Sequence, residues 1–276
     1  MTSAALESGA AQAGAVQALR AEWVKLRTVR STYWSLLLVG GLSLLFSALA
    51  ASESETMGGS PGTPGDNDIV LDSLAGVWFG QIAAAVLAVL VITSEYSTRT
   101  IRSTFVANPR RRTVLATKAV VIVAVVAAVG LVTAAACFKV GQVILRGNGF
   151  TYENGYPAVS LTDRDAATAV LLTGAYFGFL ALFSLGIGTI VRHTAGAVTI
   201  VLAAQLAPVI AISFLPEDIS EPLQKFSLVG AGLAMQQTVE RTGDIPLSQW
   251  GGLLVVAAYG IVAIAIALWI IGRRDA

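Results

Sequence analysis

The sequence predicts an all-α integral membrane protein with six transmembrane helices and an interfacial amphipathic helix ahead of them. Three observations carry this. Apolar residues make up 55% of the 276 and charged residues only 13%, about half the ~25% of an ordinary soluble domain. Mean hydropathy is +0.73. The apolar residues also collect into six long runs, and the segments between them carry nearly all the charge.

Residues 1–15 are rich in Ala, Ser and Gly and are expected to be disordered. Over 16–30 the pattern changes: Val16, Leu19, Trp23 and Leu26 recur at helical steps, with Arg20, Lys25, Arg27 and Arg30 largely off that stripe. Such a segment reads as a basic helix lying on a membrane surface, or as a helix packed on a soluble partner. From there to the C-terminus the chain reads as a single transmembrane domain.

Span one is expected at about 33–51, long enough to cross a core of ~30 Å, with Tyr33 and Trp34 as interfacial anchors. Ala48-Leu49-Ala50 has the small-residue pattern of a signal-peptide cleavage site. The charged region before it is too long for such a peptide, so retention is expected. A Gly-, Pro- and acid-rich loop follows, without Lys or Arg over 52–72. The remaining spans are expected at 74–93, 113–138, 166–191, 197–215 and 250–271, with a mixed segment at 216–249. Lys139 is expected to snorkel outward from the end of span three.

Six crossings leave both termini on one side, and the cations say which. Of the 18 Lys and Arg residues, 13 fall on the side of the termini: Arg20 to Arg30, Arg99 to Lys118, Arg192, Arg273 and Arg274. Only four of the 17 acids are there, namely Glu7, Glu22, Glu95 and Asp275. The positive-inside rule therefore expects cytoplasmic termini.

Several chemistries are excluded or disfavoured. A single cysteine, Cys137, rules out an intrachain disulfide, and a single histidine, His193, leaves no His-rich metal site. No Gly-x-x-x-x-Gly-Lys-Ser/Thr occurs, so the chain has no P-loop of its own. Ionisable residues are missing from mid-span positions, which argues against an ion-coupled carrier and against a membrane-embedded enzyme. Energy for any transport is expected to come from another chain, and no nucleic-acid partner is expected.

The segment 95–112 is the most basic in the protein. It cannot sit in lipid, where an Arg at mid-bilayer costs about 2.5–3.5 kcal/mol. Thr93 or Ser94 is expected to cap a short helix beginning at Glu95, with Arg99 and Arg102 on one face. Asn108-Pro109 would end it, and Arg110, Arg111 and Arg112 follow. Such a loop can transmit a partner's movement, or it can set topology and hold anionic lipid.

A family resemblance bears on that choice. Glu22-Trp23-Val24-Lys25-Leu26-Arg27-Thr28, with Arg30-Ser31 before span one, resembles the segment that leads into the membrane in ABC-2 type transporter permeases. The residues Glu95-Tyr96, Thr100-Ile101-Arg102, Pro109-Arg110-Arg111 and Lys118 look like that family's segment after its second span. The order of elements agrees over nearly the whole chain. What the resemblance implies is the membrane subunit of a bacterial plasma-membrane ABC exporter. It would pair with a separate ATP-binding cassette ATPase and with a second permease, identical or different. ATP and Mg would be held by the ATPase, and no cofactor by this chain.

Carried over, Glu95, Arg99 and Arg102 would contact the ATPase, then Arg110, Arg111 and Arg112, with Glu22, Trp23 and Lys25 as a secondary contact. The segment 216–249 would form short external helices, since Leu223, Phe226, Val229 and Leu233 recur at helical steps. Gln81, Gln205 and Pro208 interrupt apolar spans and either face a central pathway or pack polar groups between helices. Gly174 and Gly178 form a small-residue contact within or between chains.

Overall fold

A computed structural model describes residues 3–54, 68–98, 100, 111–154, 156, 158–239 and 247–273. Among these residues the protein is all helical. In chain order the helices are α1 (Ser3–Thr28), α2 (Arg30–Glu53), α3 (Ile69–Ser73), α4 (Val77–Ser97) and α5 (Arg111–Gly147), then α6 (Arg164–Val191), α7 (Thr194–Ile212), α8 (Glu217–Phe226), α9 (Leu228–Gln236) and α10 (Gln249–Arg273). Six of them, α2, α4, α5, α6, α7 and α10, are long and apolar enough to cross a membrane.

The six expected spans are present, with shifted ends. Helix α1 begins at Ser3, so the backbone of 3–15 is helical and not disordered. It stops at Thr28 because Val29 is extended, with φ −84° and ψ 113°. Helix α4 starts three residues later than expected, after the separate turn of α3, and runs on through Glu95 to Ser97. The expected cap at Thr93 is therefore absent: its hydroxyl bonds backwards to the Val89 carbonyl at 3.0 Å.

Span three is longer than its apolar run. Helix α5 has 37 residues, or ~55 Å at 1.5 Å per residue, and projects beyond a ~30 Å hydrocarbon core. Lys139 thus lies on an exposed face within the helix and not at its end. Helix α7 ends at Ile212, short of the expected 215. The expected helical stripe beyond Leu223 is broken at Ser227. There the backbone is extended, and the Ser227 hydroxyl accepts from Gly230 N at 2.9 Å to start α9.

Helix α6 is the centre of the bundle, packed by α4, α5, α7, α9 and α10. In lipid, apolar contact alone does not drive helices together; close van der Waals fit between small residues does. Gly130 of α5 lies against the Phe177 ring of α6, and an added Cβ would meet that ring at 2.5 Å. Gly174 and Gly178 face Leu131 and Ala127 of α5, so this contact lies within the chain. On another side of α6, Gly186 meets the Ala263 backbone of α10. Helices α2 and α4 approach as closely, with Gly76 N donating to Ser47 Oγ at 3.0 Å.

The helix ends sort into two sets. At one end Asn148 Nδ2, following α5, donates to the Ala51, Ser52 and Ser54 carbonyls at 2.9, 3.2 and 3.3 Å and satisfies the C-terminus of α2. Asp68 joins α3 to the segment after α9 at the same end. The other end gathers α1, the C-termini of α4, α6 and α10, and the N-terminus of α5.

Candidate functional site

At this second end four charged side chains close a ring. Lys118 Nζ, at the start of the third turn of α5, donates to Glu22 Oε2 of α1 at 2.5 Å and to Glu95 Oε1 of α4 at 2.9 Å. Lys25 of α1 donates to Glu22 Oε1 at 2.9 Å and to the same Glu95 Oε1 at 3.1 Å. Cations and anions alternate around the ring, so its net charge is zero. Lys118 and Glu22 are only 3% and 5% exposed, whereas the Lys25 side chain keeps 44% of its surface.

Local structure explains the placement. Glu22 and Leu26 share the face of α1 turned to the bundle, while Trp23 is half exposed. The acid therefore packs inward and the indole does not, a division the apolar stripe alone did not show. Glu95 is carried inward because α4 continues past it. Burial alone would lower the Lys25 pKa; hydrogen bonds to and the charges of Glu22 and Glu95 outweigh it and hold the group above its usual 10.5.

A third cation stands beside the ring. Arg192 caps α6 in the left-handed conformation, φ 59°, and lies 5.4 Å from the centroid of the Tyr96 ring. Glu95 Oε2 is buried with no hydrogen-bond partner among the described residues. His193 then starts α7, its Nδ1 accepting from Gly196 N at 3.2 Å.

Of the residues singled out from sequence, Glu22, Lys25 and Glu95 come together, and Trp23 borders them. Arg111 and Arg112 open α5, and Arg112 lies across Gly272 at the end of α10. Arg99, Arg102 and Arg110 lie outside the described residues. Lys118 lies in the stretch that resembles ABC-2 permeases but is not among the residues the resemblance assigns to the ATPase contact. The signal was present: a lone cation inside the apolar run of a span must be paired.

Gln81, Gln205 and Pro208 have different surroundings. Gln81 accepts a hydrogen bond from the Tyr176 hydroxyl of α6, and both are buried. Gln205 is buried on α7 and donates to its own helix at Val201 O, 3.3 Å. Pro208 sits inside α7, which continues to Ile212.

The pattern of the family described as "Protein of unknown function (DUF2705)" matches residues 61–276. The chain belongs to the DUF2705 family. The matched segment covers α3 to α10, so this DUF2705 protein holds Glu95 and Lys118 inside the family region and Glu22 and Lys25 ahead of it. No curated protein matches the chain.

Proposed function

We propose that this chain is the permease subunit of an ATP-driven ABC exporter in a bacterial plasma membrane, with both termini cytoplasmic. The observation that carries the reading is the ring of Glu22, Lys25, Glu95 and Lys118. It ties α1 and the two helices flanking the basic loop into one unit. A push on loop 95–112 then moves α4 and α5 together, and α1 with them. Breaking such a buried pair leaves an uncompensated charge, at a cost of about 3–5 kcal/mol, so the unit resists shearing.

In this reading a separate ATP-binding cassette ATPase, which holds ATP and Mg, docks on the loop through Arg99, Arg102 and Arg110 to Arg112. A second permease completes the transporter. Helix α1 lies in the membrane interface with Trp23 at headgroup depth, and anionic lipid balances its cations. Helices α8 and α9 lie on the outer side. Export as the direction rests on the resemblance to ABC-2 permeases.

The test is reconstitution with a candidate ATP-binding cassette ATPase. ATP-dependent flux that is lost on charge reversal at Arg99 and Arg102, with normal insertion, supports coupling. A reversed protein that inserts normally and still transports overturns it. Binding of the ATPase with no flux of any candidate substrate favours a scaffold or sensor subunit, and flux driven by an ion gradient without ATP favours a carrier. A single cysteine placed at 104 and labelled only from outside intact cells would exclude all cytoplasmic docking.

A further inference from the structure

The end of the bundle opposite the charged ring holds a second polar feature, independent of the exporter reading. From Lys118 to Gln142 along α5 is ~36 Å at 1.5 Å per residue. There a cavity of about 120 Å³ opens between α5, α3 and the loop after α5. That volume is below the roughly 300–1,000 Å³ of drug-sized sites and suits one small acidic group with the first carbons of its stem.

Its lining is mixed in a specific way. Ile69, Leu145 and Phe150 make an apolar wall, all of them buried. Arg146 stands on the lining and forms no ion pair among the described residues. Gln142, only 8% exposed, also lines the cavity, and its Nε2 is a buried donor without a hydrogen-bond partner among the described residues. A buried amide donor left unmade costs free energy that a bound acceptor would recover. The guanidinium beside it can donate paired N–H groups to a carboxylate or phosphate.

We infer that this cavity is a binding site for an organic anion, a single acidic headgroup on an apolar stem. Arg146 pairs with the acid, the Gln142 amide donates to it, and Ile69, Leu145 and Phe150 hold the stem. The same chemistry is offered by a free amphiphilic carboxylate and by the phosphate of an anionic phospholipid.

The experiment uses the full chain in nanodiscs of zwitterionic phosphatidylcholine or anionic phosphatidylglycerol, with octanoate titrated calorimetrically against empty discs. The expected result in phosphatidylcholine is octanoate binding weakened about tenfold or more in Arg146→Gln and in Gln142→Leu. Arg146→Lys keeps most of it, and octanol is indifferent to all three changes. A phospholipid ligand shows itself differently: phosphatidylglycerol discs block octanoate, and native mass spectrometry finds that lipid retained by wild type and released by Arg146→Gln. Octanoate bound equally by wild type and Arg146→Gln overturns the site. So does a wild-type protein that holds neither octanoate nor phosphatidylglycerol. Unchanged elution and melting of the Gln142→Leu variant separate lost binding from lost fold.

Discussion

Lys118 Nζ lies 2.5 Å from Glu22 Oε2, a contact that spans 96 residues and joins α1 to α5. The cation is almost wholly enclosed, and its two carboxylate partners come from different helices. This pair orders the effects expected at the ring.

Replacing Lys118 by Met leaves Glu22 and Glu95 with only the half-exposed Lys25 between them. The expected loss is about 3–5 kcal/mol, the range for orphaning a buried charge. Lys25→Met is expected to cost at most ~1 kcal/mol, because its exposed side chain is screened by water. Unfolding of both variants in the same detergent checks the order; equal losses would contradict the burial argument.

Alkaline pH should weaken the ring through Lys25. Its pKa in the folded protein is raised above 10.5, so its contribution is complete below that value and fades as pH climbs through the folded pKa. Stability measured upward from neutral pH should therefore fall less steeply above 10.5 in Lys25→Met than in the wild type.

Gly130→Ala should destabilise by about 1–3 kcal/mol, the cost of overpacking a fitted core. The new methyl meets the fully buried Phe177 ring at 2.5 Å. Gly41→Ala is the control: nothing lies within 4 Å of its Cβ, and helix propensity predicts a gain of up to ~1 kcal/mol. Thermal midpoints that shift in opposite directions confirm the α5–α6 contact.

Asp68 is 1% exposed and binds two elements at once. It caps α3 through Val70 N and Leu71 N at 3.0 and 3.1 Å. It also holds Thr238 N, Thr238 Oγ1 and Val239 N at 2.5, 2.8 and 3.1 Å. Asp68→Ala removes all five bonds, each worth about 1.5–3 kcal/mol where one partner is charged. Hydrogen exchange should accelerate at Thr238 and Val239 together with Val70 and Leu71; unchanged protection at 238–239 would show that other contacts hold this segment.

Much of the site was legible because charge in an apolar run is conspicuous. Glu22, Lys25 and Glu95 stood out as ionisable groups next to spans, and the structure unites them. Lys118 completes the ring; its place inside the apolar run of span three signals a paired cation, but not which residues pair with it. Pairing over 96 residues leaves no local trace. Gln142 and Arg146 were hidden for another reason. Span three seemed to end near 138, and only the continuation of α5 to Gly147 turns these two residues toward one cavity.

By itself the sequence determined that the chain has six stretches long and apolar enough to cross a membrane, and where its cations collect. Both follow from the cost of moving charge and unpaired backbone into hydrocarbon, which acts residue by residue along the chain. Only the tertiary structure decided which charges meet, that α6 forms the centre, and that Gly174 and Gly178 pack within the chain. Those outcomes depend on how helices distant in sequence approach one another. Shape fit between small and large side chains sets that approach, and the order of residues in any one helix does not specify it.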